Sequence, residues 1–320
     1  MNRGIKLLII IAVVITVLGG ALLTIAFAKG AFSDNGGEGV INYHENLGAF
    51  NSISIDTDTS NIEFVLAEDG KCKVECHEKE KVYHEVKVDN NTLSIVQIDT
   101  REKFKRFSMF DFYERKVIIY LPAGEYDKLD IKLSTGDTSI IAGYTFNSIT
   151  INCSTGDTKI ASNVNGKIYV KSSTGDIELD HINAKELDLA ASTGNVKLTN
   201  VTVEEDITIS TKTGKKHLTD VTCDDITLSA STGKTYLTRM VARGKLTINV
   251  STGDIILDKS DAKTIDITTS TGDVTGTLLT AKSFYVQTDT GKLEVPPTSG
   301  EECNITTDTG DVKISIEANN

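Results

Sequence analysis

The chain has no tryptophan, three prolines in 320 residues and an aromatic content of 6%. With 39% apolar residues beside that scarcity of proline, the composition is that of a folded protein and excludes a disordered one. An excess of positive charge is also missing. Thirty-three Lys and Arg against 45 Asp and Glu give a formal charge of −12, so no basic face is large enough to neutralise a phosphate backbone, and nucleic acid is excluded as a partner. The five cysteines (Cys72, Cys76, Cys153, Cys223 and Cys303) are odd in number and widely spread. The chain is long enough to bury its own core, so no disulfide framework is implied.

Long hydrophobic runs are absent except at the start. Leu7 to Ala28 holds 22 residues without a charge, which as a helix at ~1.5 Å per residue spans a ~30 Å hydrocarbon core. Arg3, Lys6 and the amino terminus precede it and Lys29 follows. That asymmetry predicts a cytoplasmic residue 1–6 stub, a transmembrane helix over 7–28 and an extracytoplasmic remainder. The alternative is a cleaved signal peptide, for which Ala26-Phe27-Ala28 has the small-x-small form. Residues 29–40, with Ser33, Asp34, Asn35 and four glycines, read as a tether.

What fills the rest is repetition. A Thr-Gly pair recurs at Thr135-Gly136, Thr155-Gly156, Thr174-Gly175, Thr193-Gly194, Thr213-Gly214, Thr232-Gly233, Thr252-Gly253, Thr271-Gly272, Thr290-Gly291 and Thr309-Gly310, every 19 or 20 residues. So regular a period means a solenoid. Six and four residues before each Thr the side chain is apolar, as at Ile207 and Ile209, while the residue between, such as Thr208, is mostly polar. That in-out alternation is a strand with one buried face, and it rules out a helical repeat. The fold class is all-β: a parallel β-helix of about eleven rungs stacked at ~4.8 Å, in which no rung is stable alone. Gly at the corner suits a positive φ or a close backbone approach. The residues after it (Asp137, Asp157, Asp176, Asn195, Lys215, Lys234, Asp254, Asp273, Lys292, Asp311) form an acidic column that suggests a Ca²⁺ ladder, but Lys at a ligand position repels a cation. Metal ligands and cofactors are expected to be absent. The corner is structural punctuation.

The opening "FNSISIDTDTSNIEF" supplies an earlier rung if Thr59-Ser60 is aligned with Thr-Gly. The solenoid domain then spans 41–320, with an excursion over about 65–128 that holds a β-hairpin ("HEVKV", "LSIVQI") and the returning strand "KVIIYLP". Cys72, Cys76, His77 and His84 suggest zinc, yet Cys72 and Cys76 lie ~13 Å apart on one strand and read as structural. No nucleophile, base and orienter come together in the sequence, so catalysis is not visible. The excursion's tip, "REKFKRFSMFDFY", gathers Arg101, Lys103, Phe104, Lys105, Arg106, Phe107, Met109, Phe110, Phe112 and Tyr113. It serves either as an end cap for the solenoid or as a basic-aromatic surface for an anionic membrane or a partner protein.

The opening strand-turn-strand, the hairpin, the return strand "KVIIYLPAGEYDKLDIKLSTGD" and the repeated Ser-Thr-Gly-Asp resemble the bacterial family known as putative adhesins or toast-rack proteins, whose function is unknown. The likeness covers about Ile41 to Asn320. It implies a single-stranded β-helix tethered to the cell membrane, acting as a surface-interaction or envelope-stress-sensing scaffold with an envelope protein or surface ligand as partner, and it supplies no catalytic residues. Lys215, Lys234 and Lys292 depart from the turn pattern, and six cytoplasmic residues leave no room for a regulatory segment. The rival class is a β-helix enzyme acting on surface polysaccharide, but nine intervals differing by at most one residue leave no long loops to wall a cleft.

Overall fold

The computed structural model describes residues 37–102 and 113–317, with residues 12, 16, 19, 20 and 24 before them. Apart from those five, the expected 7–28 span lies outside the described residues, among which no helix is long and apolar enough to cross a membrane. The described chain is an all-β parallel solenoid of about ten turns.

Equivalent residues of successive turns pair in parallel. Ile149, Ile168, Leu187, Ile207, Ile226, Leu246 and Ile265 form one inward column, each at most 1% exposed. Thr208, between buried Ile207 and Ile209, faces solvent. Layers meet most closely at the Gly corner. Gly156 has φ 139°, and a Cβ there would run into the carbonyl oxygen of Gly136 in the layer before. Only glycine meets both demands. The Gly156 N–H donates to the Thr174 carbonyl of the next layer at 2.9 Å.

The aspartate after each corner has a structural task. Asp137 Oδ1 accepts the Asp157 backbone N–H at 2.8 Å, Asp157 accepts that of Asp176, and Asp176 accepts that of Asn195. The Lys215 backbone N–H donates to Asn195 Oδ1 at 2.9 Å, and the Lys215 side chain, which carries no acceptor, ends the series. The series resumes at Asp254, which also binds Lys234 Nζ at 2.7 Å. A second corner is made without glycine. His181, Asn200, Asp220, Arg239 and Lys259 all have φ between 50° and 54°, and at His181 the buried positions step from Ile177 and Leu179 to Ile182 and Ala184. One left-handed residue resets the inward parity there.

The ends differ from the middle. β1 (Gly39–His44), β2 (Ser52–Thr59), β3 (Asn61–Leu66), β4 (Lys73–Lys79), β5 (Val82–Asp89), β6 (Thr92–Asp99) and β7 (Lys116–Leu121) build the N-terminal end. The expected β5–β6 hairpin forms, turning at Asn90 and Asn91 with positive φ. The excursion does not leave the stack, however: β6 lies parallel on β2 and β7 parallel on β3, adding a layer. β5 and β4 then close those edges antiparallel, and β1 closes β4. At the other end the layers do not follow chain order. Thr271 pairs with Thr309, and Thr309 with Thr290, so Glu301–Thr309 lies between Ile255–Thr271 and Lys282–Thr290. The inserted layer carries compact inward residues (Ile305, Thr307, Val312), all at most 1% exposed, whereas Phe284 and Leu293 go to the outermost layer, over which no further strand of the described residues pairs. A buried pair, Lys282 Nζ to Asp261 Oδ1 at 2.8 Å, fastens that outer layer. Pro296 and Pro297, in the connection, give no ladder N–H and mark the return.

One core position is cationic. Lys216 is 0% exposed, stands in the inward column between Val196 and Thr235, and its Nζ has no hydrogen-bond partner. Across the corner the inward residues are the small Ala191, Thr211 and Ala230. Burial alone pushes the ammonium down to about 8 from the ordinary 10.5.

Three outcomes are expected. Ile209→Asp buries an unpaired carboxylate and lowers stability by several kcal/mol, while Thr208→Asp changes the melting temperature little; equal melting temperatures would refute the parity. Cysteines at the Cα partners Thr268 and Thr306 should cross-link readily, whereas a Thr268→Cys, Gln287→Cys pair, separated by a layer, should not; efficient linkage of the second pair would restore chain order. Between pH about 8 and the ordinary lysine value the unfolded chain holds a proton that the folded chain lacks, so stability rises with pH through that window. Lys216→Met should accordingly stabilise at pH 7 by roughly 3 kcal/mol, an advantage that shrinks through the window; denaturant unfolding at several pH values measures it.

Candidate functional site

The N-terminal end collects what the repeats do not explain. Lys103, Phe104, Lys105, Arg106, Phe107, Met109, Phe110 and Phe112 lie outside the described residues, but both ends of their segment are fixed. It connects β6 to β7, whose partners β2 and β3 flank the corner that Thr59 and Ser60 make in the first turn. Arg101 is held by Asp99 through Nε to Oδ1 at 3.0 Å and Nη2 to Oδ2 at 2.9 Å. At the far end the Arg115 carbonyl accepts the Asn61 N–H at 2.9 Å. Tyr113 lies against Gly39, where a Cβ would meet its ring, and Lys79 Nζ stands 5.5 Å from the ring centroid. Gly37 lies equally close to Glu80 in the β4–β5 turn. The first described residues of the domain, Gly37 and Gly39, thus lie at the corner to which Tyr113, just after the basic-aromatic segment, also comes. The edges of β6 and β7 at this end are paired by β5 and β4, and that of β4 by β1.

Beneath that corner is a closed polar cluster. β4 places Cys76 and Glu78 on one inward face, and β5, across the turn, brings in His84; all three are at most 2% exposed. His84 Nδ1 lies 2.9 Å from Glu78 Oε2, which also accepts the His84 backbone N–H at 2.6 Å. Nε2 lies 3.1 Å from Thr57 Oγ1 and 3.4 Å from Ser60 Oγ, and Asn42 donates to Glu78 Oε1 at 2.6 Å. Burial works to raise the Glu78 carboxyl, but the hydrogen bonds from His84 and Asn42 outweigh it and hold it below the ordinary value. Burial, then the charges of Glu78 and Glu75, push the Cys76 thiol up. Ser60, His84 and Glu78 have the order of a hydrolytic triad, yet all are sealed from solvent, where no substrate reaches them.

Cys72 takes no part in this cluster. It lines an outer groove of about 470 Å³ with Glu45, Leu66, Lys73 and Tyr120, which shares Asn46, Lys71 and Cys72 with a second groove of about 570 Å³ that reaches Phe50 and Tyr126. Burial pushes the Cys72 thiol up to about 12, so it is not a ready nucleophile. Lys73 Nζ sits 4.3 Å from the centroid of the Tyr120 ring. Sequence reasoning missed the meeting of Cys76 with Glu78 and His84; the alternation of Cys76 and Glu78 beside a tight β4–β5 turn was the available signal.

Among curated proteins none matches the chain. Similar solved structures include a putative adhesin from Bacteroides fragilis, at 16% identity and TM-score 0.44, covering 88% of this chain and 97% of that one. Another from Parabacteroides distasonis shows 13% identity and TM-score 0.49 over 86% and 97% of the two chains. A putative lipid binding protein from the same species shows 14% identity and TM-score 0.44 over 89% and 98%. The model of one protein family, Toastrack DUF4097, matches residues 50–211 and again 204–320, which together take in nearly all of the solenoid, and the chain belongs to that family.

Proposed function

We propose that this protein is a membrane-anchored, extracytoplasmic β-solenoid that serves as an adhesin-like interaction scaffold of the cell envelope, and that its basic-aromatic segment docks on the anionic membrane surface. The observation that supports the reading is a shared corner: Tyr113, next after the segment, packs on Gly39, and the β4–β5 turn lies against Gly37. A chain anchored through residues 7–28 keeps that corner nearest the bilayer. There Lys103, Lys105 and Arg106 supply attraction to anionic headgroups, and Phe104, Phe107, Phe110 and Phe112 supply buried area. The rod behind it presents its near-uniform sides to an envelope protein or surface ligand, and sensing of envelope stress is the form such contact takes if docking depends on the state of the membrane. A polysaccharide enzyme is the weaker reading, because the Ser60, His84 and Glu78 cluster is sealed from solvent and the Cys72 thiol in the open groove is not a ready nucleophile.

The test uses residues 37–320 with phosphatidylglycerol and phosphatidylcholine vesicles. Sedimentation with the anionic vesicles only, weakened by salt, is expected. Phe107→Ser with Phe110→Ser should abolish binding and leave the melting temperature unchanged. A loss of stability instead would identify the segment as an end cap, and wild-type protein that never sediments with anionic vesicles would overturn the docking.

A further inference from the structure

The buried cluster under the tether corner raises a question of proton accounting. Gln97 Oε1 accepts two backbone N–H groups, of Asp58 at 3.1 Å and Thr59 at 3.2 Å, which fixes the orientation of its amide. The Thr57 hydroxyl, 2.7 Å from that oxygen, therefore donates to it. The Ser60 hydroxyl donates to the Thr59 carbonyl at 2.7 Å. With both hydroxyl protons committed, their oxygens act as acceptors toward His84 Nε2, and Nε2 carries the ring proton. Nδ1 then directs a lone pair at Glu78 Oε2, an oxygen already facing it at 2.9 Å. Two acceptors in a site shut off from water are stable only with a cation shared between them. A proton is one such cation, and a metal ion is another.

The third neighbour favours the metal. Cys76 Sγ, a Glu78 oxygen and a His84 ring nitrogen all lie within 4.8 Å of one another, a triangle that closes to metal-ligand spacing by movements of about 1 Å. We propose that Cys76, Glu78 and His84 form a buried three-ligand site for a divalent metal of the zinc class, which ties the β4–β5 cap to the first turn of the solenoid. Thiolate, carboxylate and imidazole are a mixed soft and borderline donor set that suits zinc rather than calcium or magnesium. One thiolate and one carboxylate also neutralise a divalent ion, as a site at most 2% exposed requires. The outer contacts are of the kind that orient metal ligands: His84 Nε2–H points to Thr57, which is held by Gln97, and Asn42 holds the other Glu78 oxygen. Binding displaces two protons, that of the Cys76 thiol and the one shared by Nδ1 and Oε2. Being sealed, the site loads as the cap folds.

The test uses the full chain in detergent, unfolded in denaturant with a chelator and refolded without metal, with Zn²⁺ or with Co²⁺. Expected are about one retained metal per chain, a higher melting temperature for the zinc-refolded protein, and a sulfur-to-cobalt charge-transfer band in the near ultraviolet. Cys76→Ser should lose the band and Cys72→Ser should keep it. If Cys76→Ser fails to fold, the wild-type cobalt spectrum still decides. Folded wild-type protein that retains no metal and shows no such band overturns the proposal and leaves a shared proton as the only cation; so does a Cys76→Ser variant that folds and keeps the band.

Discussion

Everything in this protein hangs on how closely one layer approaches the next at the Gly corner. A Cβ at Gly156 has no room beside the Gly136 carbonyl, and the same holds up the column to Gly272 and Gly310. That contact sets the phase of each turn, and with the phase fixed every inward Ile, Leu and Val lands on its counterpart in the layer below. The aspartate beside the glycine belongs to the same device, because its side-chain oxygen takes a backbone N–H that the bend would otherwise leave to solvent. Its charge matters less than its reach, which is why Asn195 fits the column and Lys215 interrupts it.

Where the stack ends the constraint lifts, and the sequence changes there. Ser60 stands in the glycine position of the first turn, at the end of the Thr-Gly column. The backbone contact is replaced by side-chain chemistry: Thr57, Ser60, His84, Glu78 and Gln97 join the first turn to the cap in one hydrogen-bonded set. The opposite end uses a different solution. The outermost layer is not the last in the chain, and a buried Lys282–Asp261 pair holds it over the inserted terminal turn. Buried charge of this kind costs stability but is satisfied in few arrangements, so it specifies which layer goes where.

The two ends are therefore unlike, and the asymmetry bears on function. The sides of the rod repeat with little variation. The N-terminal end carries the buried polar cluster, the grooves around Cys72 and the two ends of the basic-aromatic segment.

Period, parity and the meaning of the Thr-Gly corner were determined by the sequence alone, because alternation of apolar residues with period two and a glycine every 19 or 20 residues are local signals with a single stacked solution. The β5–β6 hairpin and the rung at Thr59-Ser60 were legible for the same reason. The second corner was not, since His181, Arg239 and Lys259 enter the left-handed region without a residue type that announces it. Nor did the sequence disclose the buried Lys216, whose column is apolar or Thr elsewhere, or the crossing of the last two layers. Those were decided by tertiary structure: which layer lies next to which, and which polar groups meet inside, depend on contacts between residues far apart in the chain. The gathering of Cys76, Glu78 and His84 with Thr57 and Ser60 is of that kind, because the cap must fold back over the first turn before any of them can touch.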